Sequence, residues 1–265
     1  VVPRFWGTME HPGIVALGQP LTLIPPEAAT QARRQRYTNI AVHELAHYWF
    51  GDLVTMAWWD DVWLNESLAS YLDRKATQAV TPEWNAEDRL RLRSREAALQ
   101  NDALPSASPV QKRIERDGDI ESAFDGDTTY AKGSSVLYML EGMLGEPKLR
   151  DVMRAHVRRH AHGVAGAGDF FATLREVGSA DAAAVMRAFV ERPGAPRVSA
   201  ELACTAQGAV ARLAQERHAP KDAALPGDAS PWPLPVCVRA LPGGARTCTL
   251  LRGARGEVAL PGPCP

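Results

Sequence analysis

The residues best suited to chemistry in this sequence are His43, Glu44 and His47, in the run His43-Glu44-Leu45-Ala46-His47. On a helix, positions i and i+4 share one face a turn apart, a rise of about 6 Å. Two imidazoles so placed can converge on one metal ion, and the glutamate between them can take the proton from a water on that ion. The chain has 7 histidines. At that frequency H-E-x-x-H arises by chance in on the order of one such chain in a hundred. A catalytic zinc takes three protein ligands and keeps a fourth position open, so a third ligand is expected from another element. Glu66, in Trp63-Leu64-Asn65-Glu66-Ser67, is the candidate, with eighteen residues between it and His47. Taken alone it reads as a solvated helix residue; its neighbours decide otherwise below.

The elements that must position these side chains are legible as periodic runs. Thr30 is a plausible N-cap, and apolar residues recur through Ile40, Leu45 and Trp49 until Gly51, which predicts a first helix. A second is expected over Asp61–Val80, where Leu64, Leu68, Leu72 and Ala76 repeat every four residues and Thr81-Pro82 ends the run. The connector Gly51–Asp60 can bring Glu66 across from the histidine pair. Residues 1–29 read as strand and loop, with Ile14–Leu17 and Leu21–Ile24 as short strands. Further helices are expected over Trp84–Leu99, Tyr130–Leu144, Pro147–His160, Asp169–Val177 and Asp181–Val190, with a loop across 100–128. After Arg192-Pro193-Gly194 the chain turns Pro- and Gly-rich, with β-like runs at Val236–Arg239 and Thr247–Leu251. We therefore divide it into residues 1–194 and a β-rich tail, 195–265.

The stretch Asn39–Leu72, NIAVHELAHYWFGDLVTMAWWDDVWLNESLASYL, resembles the gluzincin zinc aminopeptidases of the aminopeptidase N and leukotriene hydrolase type, whose signature is H-E-x-x-H, eighteen residues, then E. Two more segments match in the same order. Gly7-Thr8-Met9-Glu10-His11 resembles that family's G-x-M-E-N loop, and Tyr130-Ala131-Lys132-Gly133 resembles its Y-x-K-G segment. The resemblance is strong over residues 1–145, extends to about 194, and is weak beyond. It implies an α+β fold with a thermolysin-like, mainly helical catalytic domain followed by a small β-rich domain, with 195–265 as all or part of the β-sandwich that follows the catalytic domain in many members. It implies one zinc ion per chain on His43, His47 and Glu66, with Glu44 as general base and Tyr130 as donor to the developing oxyanion. Gly7, Met9 and Glu10 would bind substrate, Glu10 anchoring the free α-amino group. The implied activity is removal of N-terminal residues from peptides; a zinc endopeptidase, a non-peptide hydrolase of the same fold and a non-catalytic fragment are the alternatives. His11 stands where the family has Asn. Relatives also carry a large β-rich domain ahead of this loop, which completes the amino-terminus pocket, and a helical domain after the tail; neither is in this sequence, which starts at Val1, so a fragment or a processed product is expected.

Composition bounds the rest. Of 265 residues, 45% are hydrophobic and 23% charged, enough for a sizeable core. A net charge of −1 supplies no electrostatic case for nucleic acid or an acidic membrane surface, and no apolar run is long enough to span a bilayer. No secretory leader is visible. All four cysteines, Cys204, Cys237, Cys248 and Cys264, lie in the tail; their spacing is unlike a zinc ribbon, so disulfides and an extracytoplasmic location (secreted or cell envelope) are expected. His156, His160 and His162, set among Arg154, Arg158 and Arg159, read as a solvated basic face, and Trp58, Trp59 and Trp63 as packing around the site.

Overall fold

The computed structural model describes residues 7–205, 208–221, 223, 230–239, 241 and 245–260. The chain opens with a two-residue ribbon, β1 (Thr8–Met9) against β2 (Ala16–Leu17), antiparallel. The expected strand Leu21–Ile24 is absent. Pro20 sits at the first turn of a four-residue helix, α1 (Gln19–Thr22), where its fixed φ favours helix, and Thr22 Oγ1 donates to the Gly18 carbonyl, 3.0 Å.

Thr30 caps α2 (Gln31–Ala46): its hydroxyl accepts from the Arg33 amide, 3.3 Å. The helix stops at His47, which serves as its C-cap, rather than continuing toward Gly51. Its inward face is also not the expected apolar one. Glu44, Ala46 and His47 are buried, while Leu45 and Trp49 are 49% and 54% exposed. The polar face of α2 turns inward because it faces the site. Gly51, at φ 141°, reverses the chain into β3 (Val54–Met56), which pairs in parallel with β4 (Gly163–Ala165).

A 3₁₀ turn, Trp59–Asp61, leads into α3 (Val62–Val80), the central helix. Thirteen of its residues are buried, so it is enclosed on nearly all sides rather than amphipathic. Thr81 Oγ1 bonds back to the Thr77 carbonyl, 2.7 Å, and Pro82 prevents continuation. Asn85, left-handed at φ 46°, starts α4 (Ala86–Asp102). Against α3 pack α2, α4 and α5 (Gly133–Leu144), and α6 (Glu146–His160), α7 (Ala167–Thr173) and α8 (Ala180–Glu191) close the same core. Trp63, Leu68, Leu137, Leu140, Phe170 and Met186 form the solvent-free centre of the core. Two further helix ends differ from expectation: α5 is preceded by a π-helical turn, Gly126–Lys132, and α7 runs on as a second one, Leu174–Gly178. His156 is also not solvated. It is 1% exposed, with its ring against Phe170, and burial holds its pKa down at about 4.

The β-rich part holds an antiparallel sheet of β5 (Pro196–Thr205), β6 (Gly208–Arg217) and β9 (Arg255–Ala259), in the order β5-β6-β9, and a hairpin of β7 (Leu234–Arg239) and β8 (Arg246–Leu251). Cys237 and Cys248 face each other across the hairpin and are disulfide-bonded. Cys204 is disulfide-bonded too; Cys264 lies outside the described residues. Trp232 joins this part to the helices: it is buried beside Phe189, with the Arg192 guanidinium 4.2 Å from its ring centroid. The molecule is thus mixed helix and sheet. Among the described residues no helix is long and apolar enough to cross a membrane.

Candidate metal centre

His43 and His47 leave α2 one turn apart, and Glu66 faces them from the first half of α3. Their inner atoms form a small triangle. His43 Nε2 is 3.0 Å from His47 Nε2 and 3.2 Å from Glu66 Oε2, and His47 Nε2 is 3.4 Å from the same oxygen. Metal–ligand distances of about 2.0–2.2 Å in a tetrahedron give edges of about 3.3–3.6 Å, so the triangle is close to the size zinc requires.

The outer nitrogens say what the inner ones carry. His43 Nδ1 lies 3.1 Å from Asp73 Oδ2, and His47 Nδ1 lies 3.1 Å from the Phe50 carbonyl and 2.9 Å from Asn65 Oδ1. These partners are acceptors, so both Nδ1 atoms are donors, and in neutral imidazoles both Nε2 atoms are bare lone pairs. Two lone pairs and a carboxylate oxygen at these separations need a cation among them. With no metal, a proton takes that place. Burial opposes a charge on His43, but the hydrogen bonds to Asp73 and Glu66 outweigh it and raise the pKa to about 10. Burial likewise opposes the Glu66 carboxylate, but His43 and His47 outweigh it and hold Glu66 at about 2. The donor set therefore fits a divalent, imidazole-binding metal.

The other expected residues gather at the same cleft, of about 790 Å³. Glu44 is buried, and desolvation raises its pKa. Ligand atoms of Glu10, Glu44 and His47 lie within 4.8 Å of one another. Tyr130 sits on the π-helical turn; its ring stacks on His43 at 6.0 Å, and burial, with the Glu66 carboxylate nearby, pushes its pKa up. Gly7 and Met9 line the same wall, Met9 42% exposed. His11 is exposed to solvent. The three tryptophans part company: Trp63 is core, Trp59 lines the cleft beside Phe124, and Trp58 is 56% exposed, its indole donating to the Ile114 carbonyl, 3.2 Å.

Residues 1–189 match the Peptidase family M1 domain. The chain belongs to peptidase family M1. It is 36% identical over 196 residues to aminopeptidase N of Lactococcus lactis subsp. cremoris (strain MG1363), covering 74% of this chain and 23% of that protein. It is 34% identical over 197 residues to aminopeptidase N of Lactobacillus helveticus, covering 74% and 23%. It is 32% identical over 217 residues to leucyl aminopeptidase of Saccharolobus solfataricus, covering 82% and 27%. The chain thus spans about a quarter of the length of these relatives.

Several residues of this M1 domain escaped sequence reasoning. Asp73 lies two helical turns beyond Glu66 and so on the same face of α3, a spacing that could have found it. Asn65 carried no such signal. In the sequence Lys132 stands out only as part of the Y-x-K-G segment. Its buried ammonium bonds to Asp102 Oδ1 at 3.0 Å and to the carbonyls of Arg192 and Gly194 at 3.2 and 3.0 Å, which fixes the end of the Tyr130 turn.

Proposed function

We propose that this domain is the catalytic centre of a zinc-dependent aminopeptidase with a thermolysin-like catalytic domain over residues 1–194 and a β-rich domain over 195–265. The observation that carries the reading is the triangle of facing ligand atoms on His43, His47 and Glu66, with Glu44, Tyr130 and Glu10 at the same cleft. His43, His47 and Glu66 hold the zinc. Bound there, zinc supplies Lewis acidity, acidifying water and polarising a peptide carbonyl. Glu44, raised in pKa by burial, takes the proton of the attacking water and returns it to the leaving amine. The Tyr130 hydroxyl, whose raised pKa keeps it a donor, hydrogen-bonds the charge developing on the carbonyl oxygen. Glu10 pairs with the substrate's α-ammonium group, which sets the reaction at the first peptide bond; the names of the relatives support that choice over internal cleavage.

The Glu44→Gln variant tests the division of roles. It should keep zinc at parental stoichiometry and lose about 10²–10⁴-fold in turnover, measured by metal analysis and peptide hydrolysis on one preparation. Near-parental turnover would assign the base to another group. An extracytoplasmic location belongs to the same proposal; the Cys237–Cys248 bond supports it, and finding the full-length protein only in the cytosolic fraction would overturn it.

A further inference from the structure

Asn65 sits between two groups that serve the proposed reaction in different ways. Its Oδ1 is 2.9 Å from His47 Nδ1, and its Nδ2 is 2.8 Å from Glu10 Oε1. One neighbour fixes which end is which. The Phe50 carbonyl can only accept, and it lies 3.1 Å from the same His47 Nδ1; that nitrogen therefore carries the proton. The atom of Asn65 facing it must be the carbonyl oxygen, so the amide NH₂ points at Glu10. The same NH₂ lies 3.4 Å from Glu66 Oε1. Asn65 is 7% exposed, and its pose is enforced from behind by Gly51, whose φ of 141° suits glycine and where a Cβ would overlap Asn65 Oδ1.

Glu10 follows β1, which pairs with β2 through only two residue pairs. So small a ribbon is a weak support for a carboxylate that must meet an ammonium in a defined place. The Asn65 NH₂ occupies Oε1 of Glu10 and leaves Oε2 to a ligand, while the other end of the same amide holds a metal ligand. We propose that Asn65 is the positioning residue that aims Glu10 at the α-ammonium group and locks that aim to the metal ligand His47. It thereby sets the distance between the bound amino terminus and the bond that is cut. This inference rests on the reading of Glu10 as the amine anchor.

Asn65→Asp separates the two ends of the amide. It keeps an acceptor for His47 Nδ1 but puts a carboxylate oxygen where Glu10 needs a donor, and like charges so close repel. In the full-length protein, zinc affinity by chelator competition should stay within about threefold of the parent. The kcat/KM preference for a free peptide over its N-acetylated twin should fall by at least about tenfold, mainly through KM. In the inert Glu44→Gln background, calorimetric binding of leucinamide should weaken by a similar factor, while binding of N-acetyl-leucinamide should not change. With Glu10→Ala already present, Asn65→Asp should change the preference by less than about twofold, because there is nothing left to aim. An Asn65→Asp protein that keeps the parental preference overturns the inference. So does one whose effect persists undiminished beside Glu10→Ala, or one that loses zinc as a ligand variant would. If the parent itself has no preference for free peptides, the reading of Glu10 falls and this inference with it; if the parent has the preference and Asn65→Asp retains it, Asn65 alone is misassigned.

Discussion

At His43 and His47 the nitrogen that faces the site is chosen by the one that does not. Asp73 and the Phe50–Asn65 pair take the Nδ1 protons, which turns both Nε2 atoms toward the cation's place. Partners of this kind fix tautomer and ring orientation, and their loss commonly costs 10–100-fold in metal affinity. Asp73 is itself enclosed, with Arg74 Nε 3.9 Å away, and Arg74 is held by Ser134 and Ser94. Asp73→Ala should therefore lower zinc affinity by about 10–100-fold without removing a ligand, as read by competition with a chelator; an affinity equal to the parent would show that His43 needs no such support. The proposed histidine ligands were candidates in the sequence because H-E-x-x-H is a geometric statement about a helix. Asn65 was not, since a lone amide next to a ligand looks like any polar helix residue until Gly51 and Phe50 are seen around it.

The elements position the site through one unusual choice and one close approach. The unusual choice is α2, whose polar face is buried and whose Leu45 and Trp49 face solvent. Reading apolar periodicity assumes that the apolar face goes in, and a helix that carries ligands inverts that rule. α3, by contrast, was read nearly to its ends, because Leu64, Leu68 and Leu72 and the Thr81-Pro82 stop agree. The π-helical turn Gly126–Lys132 left no periodic trace, yet it presents Tyr130; such turns are rare and cluster at functional sites. The close approach is between α3 and α5, where a Cβ on Gly133 would overlap Ser67 Oγ, the donor to the Thr129 carbonyl at 2.6 Å. Gly133→Ala should destabilise the domain by about 1–3 kcal/mol through overpacking, with part of the loss recovered in Gly133→Ala/Ser67→Ala. Denaturant titration checks this, and an unchanged midpoint would mean the helices can part without cost.

For the molecule as a whole, the division of labour is a helical body that holds the site and a β-rich part docked on it through Trp232, Arg192 and the Arg252–Asp181 pair. The change of character after Gly194 was visible in composition, whereas the burial of His156 was not, since its flanking arginines read as a solvated face. That burial makes stability pH-dependent. Above pH about 6.5 His156 is neutral in both states; between 6.5 and about 4 the unfolded chain takes up a proton that the native one refuses, so stability falls with pH. The gap of about 2.5 units corresponds to a loss on the order of 3 kcal/mol, and His156→Leu should remove that component from denaturation measured at pH 7 and pH 4. A variant with the full acid loss would place the titration elsewhere. The measurement that bears most directly on the whole account is kcat/KM of the zinc-loaded, full-length protein on one peptide with a free amino terminus and on the same peptide N-acetylated. The account predicts release of the first residue from the free peptide, abolished by a chelator and restored by zinc, and little cleavage of the acetylated one. Equal internal cleavage of both peptides, or hydrolysis indifferent to zinc, would contradict it.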